Sequence, residues 1–289
     1  MPQLISVGQL IDQSWETYRS KLRPLLRLSA WLLIPGLLGI ISIALQPDIT
    51  AANSVFTWWQ KIGSVISFLN RFLITPIIGL WVFILLVKAM AGLNEKKSET
   101  FSSLSHTSWK LFLPCVLVNL IIFGIFIATW LTVLPGLLIN WSGFQFNIST
   151  LSVIGTILTV LGVILATVLS IRWLIDFAFA PFFLIIDHEH GKKAIKKSRE
   201  LILGRFWPTL FRLLIVKIVF IAVFLIIEGL LSSAIDKLVT LFIGLNINLL
   251  VRLETIGLLI LLTAGSIFFT PLITLVDFLL FNSLKETKK

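Results

Sequence analysis

The sequence predicts an all-α polytopic membrane protein. Six transmembrane helices form three parallel repeats, each an interfacial amphipathic helix followed by two spans, in a pseudo-threefold bundle. Three observations carry this expectation. Of 289 residues, 57% are apolar and only 13% are charged, where a soluble domain has about 25% charged residues; mean hydropathy is +1.00. Six apolar runs reach the ~20 residues that a helix needs to cross the hydrocarbon core. A proline-marked pattern recurs three times. This composition excludes a soluble globular chain, a disordered chain and a disulfide-rich secreted domain. The one cysteine, Cys115, permits no intramolecular disulfide and reads as a small buried hydrophobe. No ten-residue alternating pattern is evident, which argues against a β-barrel.

The chain opens on an amphipathic helix. Leu4, Val7, Ile11, Trp15, Tyr18 and Leu22 form its apolar stripe, with Gln9, Asp12, Gln13, Glu16 and Arg19 opposite. Too polar to span and too apolar to float, it lies in the head-group plane. Asp12 and Glu16 argue against a cleaved secretory signal, and the segment reads as retained. The spans follow at about Leu22–Leu45, Phe72–Leu93, Trp109–Leu134, Val153–Ile186, Phe206–Leu231 and Gly257–Leu284.

Basic residues orient these spans. Arg19, Lys21, Arg23 and Arg27 precede or begin the first; Lys96, Lys97 and Lys110 lie between the second and third; Lys192 to Arg205 between the fourth and fifth; Lys285, Lys288 and Lys289 after the sixth. The opposite loops are poor in charge: Asn140 to Thr150 has none, and the other two carry Asp48 with Lys61 and Asp236 with Lys237. The positive-inside rule then expects a multi-pass protein of the cell (inner) membrane with both termini cytoplasmic. Trp15, Tyr18, Trp109 and Trp207 fall near the basic ends, and Trp58, Trp59, Trp130 and Trp141 near the other face, as two aromatic belts. Trp31, Trp81 and Trp173 read as packing residues. The net charge of +10 is thus an orientation signal with an attraction for anionic lipid, and no nucleic-acid partner is expected.

The repeat rests on two landmarks. Amphipathic stretches run into Pro24, Pro114 and Pro208, which are 90 and 94 residues apart. Thr75-Pro76, Ala180-Pro181 and Thr270-Pro271 sit inside the even-numbered spans. The chain therefore reads as one integral membrane domain, 1–289, with repeats at about 1–95, 96–190 and 191–289. Pro24, Pro114 and Pro208 fit the first turn of a span. Pro76, Pro181 and Pro271 should kink theirs and free a carbonyl four residues back.

The third unit, Phe179-Ala-Pro-Phe-Phe-Leu-Ile-Ile-Asp187 through Gly191, Ala194, Ser198 and Gly204-Arg-Phe-Trp207, carries a resemblance. It resembles the membrane domain attached to some bacterial glycerophosphoryl diester phosphodiesterases, and related stand-alone bacterial inner-membrane proteins. The resemblance implies a six-helix bundle and no catalytic residues, because that family's chemistry lies in a separate soluble barrel with a His-Arg-Gly motif that has no counterpart in this sequence.

The remaining candidates are charges. Arg172 and Asp176 are four apart on span four, the second expected near mid-membrane; Lys217 and Asp277 lie on spans five and six, and Glu228 nearer the outer end of five. Each costs about 2.5–3.5 kcal/mol at a helix centre on insertion scales, so each should face a partner, water or the bundle interior. Arg172 can pair with Asp176, and Lys217 with Asp277 if their helices are neighbours. Two roles fit: a polar pathway or head-group site, and structural pairing with snorkelling. Lys192, Lys193, Lys196, Lys197, Arg199 and Arg205 form the candidate head-group surface. His188-Glu189-His190 beside Asp187 has the wrong spacing for a helical zinc site and reads as a polar turn. Gly36, Gly39, Gly92 and Gly124 read as close helix contacts. No nucleotide loop, Ser-His-Asp set, thiol motif, metal or cofactor is expected. The sequence thus expects a non-enzymatic membrane protein that organises lipid or partners. A small transporter or channel using the intramembrane charges and an intramembrane lipid-modifying enzyme are the alternatives. A protein partner or a second copy stays open.

Overall fold

A computed structural model of the protein describes residues 4–45, 57–94, 100–243 and 247–288. Asp48, Lys96, Lys97 and Lys289 lie outside the described residues. Every regular element among the described residues is helical. The order is α1 (Val7–Ser20), α2 (Leu22–Ser29), α3 (Leu33–Ala44), α4 (Trp58–Leu69), α5 (Thr75–Asn94), α6 (Phe101–Trp130), α7 (Leu134–Gln145), α8 (Ser149–Asp176), α9 (Ala180–Asp187), α10 (Lys192–Ile202), α11 (Phe206–Ile243) and α12 (Ile247–Glu286). Six helical stretches are long and apolar enough to cross a membrane, as the sequence predicts: Leu22–Ala44, Trp58–Gly92, Phe101–Gln145, Ser149–Asp187, Phe206–Leu241 and Ile247–Glu286. The protein is an all-α, multi-pass membrane protein.

Several stretches extend past the predicted limits. Lys61 lies on α4 and Asp236 and Lys237 on α11, rather than in loops. Most of Asn140 to Thr150 is helix, and only Phe146 to Ile148 separate α7 from α8. A hydropathy window ends where side chains turn polar, but backbone hydrogen bonding does not. At ~1.5 Å per residue the 38 residues of α11 would span about 57 Å, nearly twice the ~30 Å hydrocarbon core.

The chain divides into two compact units, Met1–Phe112 with Arg212–Ser283 and Leu113–Phe211 with Leu284–Lys289. The first is centred on α5, where Val82 and Ile84 through Val87 are all fully buried, so that this stretch of the helix is enclosed on every side. α1 is fixed at its start by a reciprocal cap: the Gln9 N–H donates to Ser6 Oγ at 3.2 Å and the Ser6 N–H to Gln9 Oε1 at 3.0 Å. Arg212 Nε donates to the Ile5 carbonyl at 2.5 Å, and the Ile5 N–H to Ser283 Oγ at 3.0 Å. The buried edge of α1 is Leu10, Ser14 and Tyr18; Trp15, predicted on the apolar stripe, is 52% exposed. The difference is one step of rotation, because buried Ser14 counts as polar in a hydropathy pattern.

The prolines divide into three kinds. Pro24 and Pro208 occupy first helical turns, as expected. Pro76 follows one widened turn, Asn70–Ile74, in which the Thr75 N–H reaches the Asn70 carbonyl; widening relieves the clash between a proline ring and the carbonyl four residues back. Pro114 and Pro271 are inside continuous helices, so the second amphipathic stretch is not a separate helix as the first and third are. Around Pro271 the expected freed carbonyl is present and occupied. Ser29 Oγ donates to the Ile267 carbonyl at 2.7 Å, and the Tyr18 hydroxyl to that of Phe268 at 2.8 Å. Ser29 thus satisfies the carbonyl that Pro271 leaves open, and Tyr18 adds a bond to the next one along.

In the second unit, α7 and α8 pack backbone to backbone. A Cβ on Gly155 would lie 2.2 Å from the Asn140 backbone nitrogen, and one on Gly136 2.3 Å from that of Thr159. Gly36 and Gly39 of the first unit are close contacts as predicted, against Thr263 and Leu259. Gly124 is not: nothing lies within 4 Å of the position its Cβ would take. Cys115 is fully buried, as expected of a small hydrophobe.

Candidate lipid-contacting site

The site is built where α8 stops. Twenty-eight residues of α8 would cover about 42 Å at ~1.5 Å each, more than the hydrocarbon core. Asp176 is its last residue, at the end of a helix already long enough to cross. The helical stretch is interrupted at Phe177 to Phe179, just ahead of Pro181, which lies in the first turn of α9, where a missing N–H costs nothing.

Ser198 holds this break. Fully buried on α10, its hydroxyl donates to the Asp176 carbonyl at 2.7 Å and accepts the Phe179 N–H at 3.2 Å. One side chain thus joins both ends of the interruption and pins α10 beneath it. This is the physical content of the Ala-x-x-x-Ser spacing: Ala194 and Ser198 are four apart, on one face, and both fully buried. Ile195, Leu201 and Ile202 complete that face, while Lys192, Lys193, Lys196 and Lys197 are exposed on the other, as the pattern predicted.

Between α9 and α10 the chain reverses through His188 (φ +56°) and Gly191 (φ +56°). Both carboxylates of this turn are engaged by lysines. Lys285 Nζ lies 2.6 and 2.8 Å from the Asp187 oxygens, and Lys197 Nζ 2.7 Å from Glu189 Oε1. That hydrogen bond holds the Glu189 carboxyl below its usual range and raises the Lys197 ammonium. Arg205 donates to Thr287 Oγ1 at 2.5 Å and to its carbonyl at 2.9 Å, and Lys288 donates to the Glu200 carbonyl. The residues after Leu284 are therefore clamped to α9 and α10.

These bonds divide the predicted head-group surface. Lys197 and Arg205 are committed to protein partners. Lys192 and Lys193 face solvent, as does Lys196, which approaches Glu200 at 3.8 Å. Arg199 turns the other way, its guanidinium 5.8 Å from the centroid of the Trp173 ring, which stacks in parallel on Phe177. Trp173, read from sequence as a packing residue, is a platform for a cation.

Arg199 shares a groove with Arg172 and Asp176. Its apolar walls are Val168 and Ile171 from α8, Ile202 and Leu203 from α10, and Phe206, Trp207 and Leu210 from α11; it holds about 580 Å³. The last turn into α11 runs through Gly204 at φ +79°, a conformation that favours glycine. Arg172 Nε approaches Asp176 Oδ2 at 3.8 Å, realising the predicted pair along one helix face, with Arg172 largely exposed and Asp176 buried. The groove thus brings two guanidiniums and one carboxyl group together.

The second predicted pair is in the other unit. Lys217 Nζ of α11 lies 2.8 Å from Asp277 Oδ1 and 3.0 Å from Oδ2 of α12, so the two helices are neighbours as the pairing required. Asp277 borders a pocket of about 430 Å³ whose walls include Phe83, Phe224 and Phe269. Two of the three hydroxyls there, those of Ser266 and Thr274, donate to carbonyls of their own helix. Sequence reasoning placed Tyr18 and Ser198 on the inward stripes of their helices but gave them no hydrogen-bonding role, and it did not single out Ser29 or Arg212.

No family model matches the chain, and neither the curated proteins nor the solved structures gave a match.

Proposed function

We propose that this is a non-enzymatic protein of a bacterial inner membrane, with both termini cytoplasmic, that gathers anionic lipid at its basic face. The observation that carries the reading is the division of α10. Its apolar face is locked down by Ser198, while Lys192, Lys193 and Lys196 are displayed on the other face, at the side where α8 ends. Clustered lysines at a membrane surface attract acidic head groups by about 1 kcal/mol each. The proposal also includes the resemblance read in the sequence of this third unit to the phosphodiesterase-associated membrane domain. The three-repeat arrangement belongs to the same reading: each repeat would present one amphipathic stretch to the same leaflet. Pairing of Lys217 with Asp277 supports a structural role for those charges over a transport pathway.

The test is to extract the protein with its native lipid in polymer-bounded discs and analyse that lipid. Wild type should be enriched in acidic lipid relative to the whole membrane, and K192Q/K193Q/K196Q should lose most of that enrichment while still folding. Equal enrichment in the two proteins would refute the reading.

A further inference from the structure

We propose that the groove between Arg172 and Arg199 seats a single anionic phospholipid from the leaflet at the basic side. The phosphate lies between the two guanidiniums, and an acyl chain runs along Val168, Ile171 and Leu210. This deepens the lipid-gathering reading and rests on it, but it names a discrete site that the lysine surface does not supply.

Three features of the groove select this ligand. Its volume, about 580 Å³, is within the ~300–1,000 Å³ range of small-molecule sites. Its chemistry is split: walls of aliphatic and aromatic side chains from three helices lead to charged groups at the end of α8. A soluble anion would leave those walls empty, and a plain hydrocarbon would leave the guanidiniums unanswered. Charge also points this way: two guanidiniums outnumber the one carboxyl group, Asp176, so the groove keeps surplus positive charge for a phosphodiester to answer. Guanidiniums suit phosphate because their paired N–H donors match two of its oxygens.

The residues around the groove act as holders. Trp173 supports Arg199 from behind, at 5.8 Å from its guanidinium. Asp176 holds Arg172 at 3.8 Å. Trp207 and Leu203 are 63% and 73% exposed at the rim, an aromatic and an aliphatic side chain facing the lipid from which the ligand enters. Ser198 fixes the geometry, since it ties the α8 end, which carries Asp176, to the helix that carries Arg199.

The experiment is native mass spectrometry of the full chain in detergent, titrated in turn with phosphatidylglycerol and phosphatidylethanolamine. Wild type should hold one phosphatidylglycerol in preference to phosphatidylethanolamine. Arg199→Gln should lower the occupancy of that adduct about tenfold, the loss expected for one charge-assisted phosphate contact. Val168→Trp fills the apolar end while leaving every charge in place, and should also remove the adduct. It therefore keeps the test valid if R199Q fails to fold. K192Q/K193Q/K196Q should keep the adduct. Full occupancy in both groove variants, or equal occupancy by the two lipids, would overturn the seat. If the groove variants keep the adduct while the lysine variant loses its disc enrichment, the seat fails and the broader reading survives. If the lysine variant loses neither, the broader reading fails instead.

Discussion

Replacing Lys217 by methionine would leave Asp277 as a charged group among apolar helices with no cation in contact. In the intact protein the Lys217 ammonium is 2.8 and 3.0 Å from the two carboxylate oxygens, with side chains about one-third and one-fifth exposed. The gross Coulomb attraction at 2.8 Å is about 6 kcal/mol at an effective dielectric of 20, and desolvation of both ions offsets most of it. Removal of one partner is a different matter. Breaking a buried pair costs ~3–5 kcal/mol, and an isolated aspartate at a helix centre ~2.5–3.5 kcal/mol on insertion scales. The partial exposure of Lys217 reduces these figures, and about 2–4 kcal/mol is expected for K217M. The double variant K217M/D277L removes both charges and should lie within about 1 kcal/mol of wild type, a coupling of at least about 1 kcal/mol between the two sites. Reversible unfolding in mixed micelles, followed by the fluorescence of the ten tryptophans, compares K217M, D277L and the double variant with wild type. The reasoning fails if K217M costs under about 0.5 kcal/mol, or if the double variant costs the sum of the singles.

Three further outcomes follow from the fold. Ser29→Ala should cost about 1–3 kcal/mol by orphaning the Ile267 carbonyl, and much less in a Pro271→Ala background, where the helix supplies its own donor; equal costs in both backgrounds contradict the capping account. Gly155→Ala should destabilise by more than about 2 kcal/mol because its Cβ meets the Asn140 backbone at 2.2 Å, whereas Gly124→Ala should be neutral or stabilising by up to ~1 kcal/mol; thermal unfolding of the two variants side by side decides it. Burial pushes the single tyrosine, Tyr18, from an ordinary value of 10.0 up to about 12. Its folded-state value is raised, so its contribution to stability is complete below pH 10 and is lost as pH rises through about 12. Ultraviolet titration of the phenol should show the late midpoint, and a midpoint near 10 would place Tyr18 in water.

Much of this architecture was legible because hydropathy and charge are one-dimensional signals. Six runs gave six spans, and the lysine face of α10 and the pairing of Lys217 with Asp277 followed from spacing and cost alone. What remained hidden has a common cause. Ser198, Ser29 and Tyr18 each satisfy a backbone group distant in sequence, and a hydroxyl carries no periodic signature of its partner. Helix ends were hidden too, since α11 continues through Asp236 and Lys237 after apolarity has ended. The break after Asp176 looked like the interior of one long span because Phe177, Ala178 and Phe179 are as apolar as their neighbours. Within the groove, Arg172 and Arg199 belonged to two separate lists, one intramembrane and one cytoplasmic. Only the return of α10 beneath the end of α8 places them together.

In the proposed arrangement the lysine face of α10 and the chain termini share the cytoplasmic side, where acidic lipid is gathered. Site-directed accessibility tests it most directly. In a Cys115→Ala background, single cysteines at Lys193, Lys288 and Asn147 are exposed to a membrane-impermeant thiol reagent in intact and in opened cells. The account predicts that position 147 reacts in intact cells and that 193 and 288 react only after opening. Labelling of 193 or 288 from outside would contradict it.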